Sequence, residues 1–518
     1  MPASRRDFLF SAARLAALAA SAIHAPGILA RPSWYPFQLG VASGSPLPHA
    51  VVLWTRILAS PGDALPPTPL ALRWEVAQDE GFHRIVASGT ASALPELAHS
   101  VHVDVTGLEP DRWYWYRFML GDAVSPVART RTAPAPDALP ASLRLAYASC
   151  QNWEHGAYAA HRHIAAAAPD LVVFLGDYIY ERGPYSAMHP AAARHGFESM
   201  TLADYRARHA QYKSDALLQA AHHAAPWILT WDDHEVVNDY ADDRDFRLDP
   251  AFMARRAAAY QAFYEHMPLR LSMGNPAHLR MYQRYDWGRL ARFHVLDDRQ
   301  YRSPQVCPQP GHGGANVVGA ACAERIDAQR TMLGAEQEAW LSEGFASASA
   351  RWNILAQQTL MTQCSHAAMD KADDVRFWTD GWDGYPAARA RLLADVARRR
   401  PSNPLVISGD VHSFYAGDLV RDFDRPASDD NPIIATEFCG TSVTSHSHPQ
   451  ARTEQYVAAN THLHYGRSDR RGFVLMEIAP ERASVLFQAL DDAQRADSSV
   501  ETLARFLVED GRPGVRAV

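Results

Sequence analysis

Five short apolar segments, each ending just before a polar residue, constrain the fold of this chain more than any other feature of the sequence. Each segment is rich in β-forming residues, and the stretches between them have helical character. In sheets assembled from such units, ligands bind beyond the carboxyl ends of the strands. The sequence therefore predicts an α/β fold in which one site collects residues from several strand ends. The segments are Leu143–Ala148 before Cys150, Leu171–Leu175 before Asp177, Trp227–Trp231 before Asp233, Ala291–Leu296 before Asp298, and Leu405–Ser408 before Asp410.

Residues 33–135 show a different pattern, in which short alternating runs are separated by Pro, Gly and Asp turns. This pattern predicts a small N-terminal β-sandwich domain. The turn Val105–Pro110, followed by an aromatic run, resembles a fibronectin-type domain with a scaffolding role. A Pro-rich linker at Thr132–Pro136 separates it from a catalytic domain over residues 140–518. The predicted strands are Val51–Trp54, Leu70–Val76, Ser100–Val105 and Trp113–Phe118.

The first 32 residues resemble a twin-arginine signal peptide. Arg5 and Arg6 precede Phe8 and Leu9, and a weakly hydrophobic, Ala-rich run with a Pro-containing exit follows. An ordinary amphipathic N-terminal helix is the alternative. The resemblance implies export by the twin-arginine machinery and a periplasmic or secreted location. No later run of about twenty apolar residues occurs, so we expect no membrane span in the mature chain.

Net charge bears on the binding partners of this protein, and cysteine count bears on its disulfide bonds. A formal net charge of -8 argues against nucleic acid as a specific partner, because such binding uses Lys and Arg to neutralise phosphates. Five cysteines leave one thiol without an intramolecular partner in an oxidising compartment. Cys307 and Cys322 bracket a Pro- and Gly-rich loop, which predicts a local disulfide. Cys150 is the candidate for a different role.

Three polar clusters at strand ends carry ligand types that cations prefer. Gly176-Asp177 ends one strand, and Tyr180 follows three residues later, so a bridging carboxylate and a phenol lie close in sequence. A structural turn is the alternative for Gly-Asp. The second cluster, Asp232–Asp239, would suffer charge repulsion unless a cation or hydrogen bonds compensated it. A solvated acidic loop is its alternative.

The third cluster is Gly409-Asp410-Val411-His412. Asp410 and His412 lie two residues apart, so both face one site if the local backbone is extended. A structural histidine satisfied by hydrogen bonds is the alternative.

In this order, the three clusters resemble those of the calcineurin-like metallophosphoesterase superfamily. Cys150-Gln151 stands where most of that superfamily has an Asp-Xaa-His segment, and together with the N-terminal features it makes the closer resemblance one to PhoD-type alkaline phosphatases and phosphodiesterases. The resemblance covers nearly the whole chain. It implies a four-layer α/β/β/α metallophosphoesterase sandwich behind a small, fibronectin-like β-sandwich domain.

The resemblance also implies two kinds of metal ion. Thiolate and phenolate donors stabilise a highly charged iron, while carboxylate and amide oxygens suit calcium. Zn2+ or Mn2+ in place of these ions is the alternative. The implied ligands are Cys150, Asp177, Tyr180 and His412 for Fe3+, and Asp233, Asn238 and Asp410 for Ca2+, with Asp177 bridging the two.

The implied reaction is hydrolysis of phosphate monoesters, diesters or both by metal-activated water. His234 would stabilise the phosphoryl charge or protonate the leaving oxygen, unless it only orients a ligand. Arg299 resembles the phosphate-binding arginine of the family, and an Asp-paired arginine is the alternative. Two other functions stay open at this point. One is a metal-stabilised extracellular binding protein, and the other is a hydrolase of another ester such as a sulfate.

Overall fold

The computed structural model describes residues 35–518 except 61, 183–197 and 368–374. The predicted signal peptide at residues 1–32 lies outside the described residues. Across the described residues the strands, numbered in chain order, are β1 (Val41–Leu47), β2 (Ala50–Arg56), β3 (Leu70–Ala77), β4 (Ile85–Ala93), β5 (Ser100–Thr106), β6 (Trp113–Leu120), β7 (Ala123–Val124), β8 (Ala128–Arg131), β9 (Leu143–Ala148), β10 (Leu171–Leu175), β11 (Trp227–Thr230), β12 (Gln283–Trp287), β13 (Ala291–Val295), β14 (Val317–Val318), β15 (Trp352–Ala356), β16 (Phe377–Trp378), β17 (Pro404–Ser408), β18 (Phe414–Val420), β19 (Ile433–Cys439), β20 (Leu463–Arg467), β21 (Gly472–Ala479), β22 (Arg482–Leu490), β23 (Val500–Glu509) and β24 (Arg512–Ala517).

Helices alternate with these strands mainly after residue 158. The α-helices are α1 (Ala159–Ala166), α2 (Leu202–Lys213), α3 (Ala216–Ala224), α4 (Phe252–His266), α5 (Gly334–Ala346), α6 (Pro386–Arg399) and α7 (Gln450–Ala459), and the short 3-10 helices are Pro95–Leu97, Ala323–Ile326 and Trp382–Gly384.

Two large sheets packed face to face form the centre of the molecule. The first has ten strands in the order β24-β23-β22-β21-β9-β10-β11-β1-β2-β5, and the second has seven in the order β12-β13-β15-β17-β19-β18-β20. The facing sides bury a shared apolar core that includes Leu145 and Val173 from the first sheet and Ile354 and Ile407 from the second. Burial of apolar area between the sheets is the main force that holds them together.

Helices cover both outer faces of this pair of sheets. Helices α1–α4 pack on the first sheet through a cluster that includes Phe174 and Trp227. Helices α5 and α6 pack on the second sheet through Leu341, Leu393 and Val406. The order of layers is therefore helix, sheet, sheet, helix, which confirms the predicted four-layer α/β/β/α sandwich.

The five apolar segments of the sequence form β9, β10, β11, β13 and β17. Strands β9, β10 and β11 are parallel neighbours in the first sheet, and β13 and β17 both pair in parallel with β15 in the second. Strands buried on both faces read as continuous apolar runs, which is why these segments could be recognised. Their carboxyl ends carry the polar residues considered below.

The N-terminal region is a β-sandwich, as predicted. Strands β1, β2 and β5 face β3, β4, β6 and β8 across a core that includes Tyr116 and Phe118 of the aromatic strand. Its first sheet continues into the ten-stranded sheet, because β1 pairs with β11 at Gly44 and Trp227. The division into domains at residues 33–135 and 140–518 stays a prediction.

The predicted local disulfide is confirmed, since Cys307 and Cys322 are bonded across a separation of 15 residues. Cys150, Cys364 and Cys439 are free thiols. Among the described residues, no helix combines the length and apolar character needed to cross a bilayer.

Candidate metal centre

Buried acidic, thiol and imidazole side chains converge where β9, β10, β11 and β17 end. Within the described residues they form four groups, and the ligand atoms of each group lie within 4.8 Å of one another. Asp177 belongs to two groups and Asp233 to three, so both are placed to be shared between ions. The groups are Cys150, Asp177 and His412; Asp177, Asp233 and His234; Asp232, Asp233 and Asp410; and Asp233, Asp239 and Asp380.

A tight approach between two loops sets the position of Asp177. Gly176 has φ +103°, and a Cβ there would lie 2.4 Å from the Cβ of Asp232, so only glycine fits without displacement. Glu235 holds the same loops together, because its buried carboxylate accepts the backbone N–H groups of Asp177 at 3.1 Å and Asp232 at 2.7 Å. It also accepts the N–H of Tyr178. Glu235 lies within the predicted cluster Asp232–Asp239, but no role was predicted for it.

Four predicted ligands surround one point. The Tyr180 hydroxyl donates to Asp177 Oδ2 at 2.8 Å and lies 3.2 Å from His412 Nε2. Cys150 completes the group with Asp177 and His412. His412 Nδ1 donates to the carbonyl of His446 at 2.6 Å, which fixes the ring and leaves Nε2 for a ligand role. Thiol, carboxylate, phenol and imidazole donors therefore meet at this point.

The backbone that carries Asp410 and His412 is not extended. Both residues have positive φ values, +61° and +53°, so a bend rather than strand alternation brings their side chains to the site. The expectation of an extended backbone at Asp410 and His412 was therefore wrong, although both side chains reach the cluster. Next to this bend, Gly409 permits a close approach to the residue before Cys150, because a Cβ at Gly409 would lie 2.2 Å from Ser149 Oγ.

Two carboxylates that sequence reasoning did not assign complete the acidic side of the centre. Asp239 and Asp380 form a group with Asp233. The backbone N–H of Asp239 donates to Asp233 Oδ2 at 2.6 Å, which orients that carboxylate, and Asp233 Oδ1 is buried without a hydrogen-bond partner. Asp239 ends the acidic segment that was already singled out. Asp380 lies far away in sequence, and no local signal identifies it.

The side chain of Arg299 lies among buried carboxylates. Its side chain is fully buried, its Nε donates to Asp232, and its Nη1 donates to Asp380 at 2.7 Å. The remaining nitrogen, Nη2, points toward Asp233 and Asp410 at 3.9 and 3.8 Å. Nη2 is buried and has no hydrogen-bond partner, so its N–H groups are not used by these contacts. Arg299 is thus a buried, Asp-paired arginine, and its contact with a phosphate stays a prediction.

His234 projects into the site from the loop after β11. Its Nδ1 hydrogen-bonds to Glu181 Oε2 at 2.6 Å, and its ring lies 4.1 Å from that of Tyr180, centroid to centroid. Burial works against a charged imidazole, but Glu181, followed by Asp233 and Asp177, outweighs it and raises the pKa of His234 well above its usual value. Glu181, which orients this ring, was missed by sequence reasoning.

The thiol and the carboxylates of this site need a bound positive charge to ionise, because burial disfavours their charged forms. Burial raises the pKa of the Cys150 thiol well above its usual value, and the charges of Asp177 and Asp410 raise it further. Burial likewise raises the pKa of Asp177, and it raises the pKa of Asp410 to about 6. Burial lowers the pKa of His412 to about 3, so its imidazole is neutral. Bound cations would stabilise the thiolate and carboxylates, so this donor set fits metal ions.

A cavity of about 280 Å³ opens directly above these groups. Asn238, the remaining predicted ligand, lines it together with Asp177, Asp233 and His234. Of the nine predicted site residues, eight thus meet at the cavity or the cluster beneath it, whereas Arg299 is enclosed behind the carboxylates.

Comparisons with known proteins show the family of this chain. A family model described as "PhoD-like phosphatase" matches residues 145–487, and one described as "PhoD-like phosphatase, N-terminal domain" matches residues 22–134. "Alkaline phosphatase D" of Bacillus subtilis (strain 168) is 41% identical over 532 residues, with 99% of this chain and 89% of that protein covered. The chain belongs to the PhoD-like phosphatase family. A solved structure described as "Structure of PhoD" matches this PhoD-like phosphatase with a TM-score of 0.87 at 42% identity, covering 95% of this chain and 93% of that one.

Membership confirms the predicted family, fold and enzyme class, so this PhoD-like phosphatase is a phosphoric ester hydrolase. PhoD-like phosphatases are metal-dependent, and in the described part of the chain the four side-chain groups are able to hold metal ions.

Proposed function

We propose that this PhoD-like phosphatase hydrolyses phosphate monoesters, diesters or both in the cavity above the strand ends, using Fe3+ and Ca2+. The observation that carries this proposal is the meeting of thiol, phenol, imidazole and several carboxylates beneath one open cavity. A purely structural ion would need closed coordination, whereas catalysis needs an accessible position. The openness of the cavity therefore favours a hydrolase over a metal-stabilised binding protein.

The donor types suggest how the ions divide. Cys150, Tyr180 and His412, with Asp177, form a mixed set that suits Fe3+. Asp233, Asn238 and Asp410 offer the oxygen donors that Ca2+ prefers, and Asp177 is shared. Zn2+ or Mn2+ in these positions is the alternative, which metal analysis decides. When bound, the ions supply Lewis-acid activation of the phosphoryl group and of water.

The chain's own residues bind the substrate and move protons around it. Glu181 holds His234 at Nδ1 and leaves Nε2 to face the substrate. A charged His234 would stabilise the negative charge of the phosphoryl group or pass the Nε2 proton to the leaving oxygen. Glu235 keeps the loops after β10 and β11 in register, so that Asp177 and His234 stay at a fixed separation.

In this proposal Arg299 also acts as a positioning residue. Its contacts with Asp232 and Asp380 neutralise carboxylates behind the ion-binding groups, so the site can gather many acids at a tolerable electrostatic cost.

Export is the remaining part of the proposal. The paired arginines Arg5 and Arg6 support transport by the twin-arginine machinery, and the Cys307–Cys322 disulfide supports a final location in an oxidising compartment. The protein would then act in the periplasm or outside the cell. Fractionation of cells that express the full chain, compared with an Arg5→Lys, Arg6→Lys double variant, tests this. Retention of the variant in the cytoplasm is expected, and equal export would contradict the proposal.

Three nitrophenyl esters test the reaction. The purified protein, analysed for bound metals, is assayed with nitrophenyl phosphate, bis(nitrophenyl) phosphate and nitrophenyl sulfate. We expect turnover of at least one phosphate ester and none of the sulfate. A protein that carries its ions and cleaves only the sulfate, or nothing, would overturn the assignment. The Asp243→Asn variant is a matched control for Asp→Asn substitutions of the metal ligands, because Asp243 lies in the same acidic region and is more than half exposed.

A further inference from the structure

A second cavity opens beside the catalytic one and is mostly apolar. Its volume is about 320 Å³, and it shares Trp378, Val411 and His448 with the cavity above the metal centre. The two cavities are therefore neighbours, and the chemistry of their walls differs. A molecule held at the metal centre therefore has an apolar cavity next to it.

Trp378 stands at the junction and is unusually exposed for its size. Its exposed fraction is 41%, and Val317 beside it is 42% exposed. Both line the apolar cavity, and they are paired across the short β14–β16 ladder. Large apolar side chains exposed together at a cavity rim indicate a contact surface for a ligand.

This wall is held rigidly in place. Strand β14 lies inside the loop closed by the Cys307–Cys322 disulfide, and Val318 packs on that disulfide. A rigid aromatic wall loses little conformational entropy when a ligand packs on it.

The opposite wall is also aromatic. Tyr456 of α7 stacks on His366 with ring centroids 4.9 Å apart, and both line the cavity together with buried Tyr415 and Leu360. Side chains from distant parts of the chain thus line one cavity, which has aromatic rings from both β16 and α7. An apolar cavity of about 150 Å³ is enough for one benzene ring, so this space accepts a single or fused ring.

We propose that this cavity is the subsite for an aromatic substituent of the phosphate ester, with Trp378 as its specificity-determining residue. The inference rests on the proposed function, because it takes the phosphoryl group to lie at the metal centre. It adds the substrate class: esters of aromatic alcohols, or esters that carry a planar heteroaromatic ring, are preferred over esters of small polyols. Stacking on the indole face supplies the preference.

Paired substrates and paired inhibitors test the subsite. The kcat/KM ratio of phenyl phosphate to glycerol phosphate is measured for the wild type and for Trp378→Ala, together with the inhibition constants of phenylphosphonate and methylphosphonate. We expect Trp378→Ala to lower both aromatic preferences by roughly tenfold, within the range that stacking on an aromatic side chain provides. Trp378→Phe should restore most of the preference, since it keeps an aromatic face.

Two further variants, one inside the cavity and one outside it, complete the test of the subsite. Tyr456→Ala removes the opposite wall and should lower the same ratios, even if Trp378→Ala fails to fold. Trp340→Ala is the matched control, because Trp340 packs on Tyr282 outside both cavities and its loss should leave the ratios unchanged. Ratios unaffected by Trp378→Ala and Tyr456→Ala would overturn the subsite while phosphate esters are still cleaved. Failure of the proposed function itself would instead appear as no phosphate ester cleaved and no inhibition by either phosphonate.

Discussion

Replacing Arg299 by Ala separates the two roles considered for this residue. Arg299 is fully buried, and its partners Asp232 and Asp380 are exposed by only 1% and 3%. Solvent therefore screens these charges very little. Removing one partner from a buried ion pair typically costs about 3–5 kcal/mol, because the other partner is left charged and unpaired. We expect the Arg299→Ala variant to lose about that much unfolding free energy and to bind its metals more weakly.

Urea unfolding of the metal-loaded protein, metal content per chain and Michaelis kinetics together form the assay. Arg299→Lys should recover only part of the stability, since a single ammonium cannot bridge both carboxylates as the guanidinium does. Arg495→Ala is the control, because Arg495 forms an exposed pair with Asp497 and its loss should leave the urea midpoint unchanged. Normal stability and metal content with only a raised KM would refute the positioning role and restore the phosphate contact.

Three other changes test separate parts of the account. Asp177→Asn should lose most bound metal and lower kcat/KM by more than about 100-fold, beyond the effect of outer-shell partners, because a neutral amide replaces the shared carboxylate; metal analysis with the assay checks this. Burial lowers the pKa of His294 to about 3, so from pH 6.5 downward the unfolded state takes up a proton that the folded state resists. Unfolding free energy should fall by about 1.4 kcal/mol per pH unit from this residue, and His294→Gln should show a shallower slope in urea titrations between pH 6.5 and 4. Cys307→Ser should lower the unfolding free energy by about 3 kcal/mol, the loop entropy for a 15-residue separation, and an unchanged urea midpoint would contradict this.

The sequence by itself determined the strands that lead to the site and the residues that end them. Segments such as Leu171–Leu175 and Leu405–Ile407 are apolar throughout because both faces of these strands are buried, and burial of this kind leaves a readable local pattern. Gly176 and Asp177 were readable for the same reason, since a tight turn after a buried strand has local requirements.

Only the tertiary structure decided which acidic side chains are neutralised by Arg299. Arg299 meets Asp232 from 67 residues away and Asp380 from 81 residues away, so its buried network depends on how the two sheets stack and leaves no local trace. The bend that turns Asp410 and His412 toward the cluster is also invisible in the sequence, because positive φ values are unusual for residues with a Cβ and depend on the surrounding structure. Local patterns specify secondary structure and its ends, whereas contacts between distant segments are fixed by packing, and packing assigned each side chain its partner.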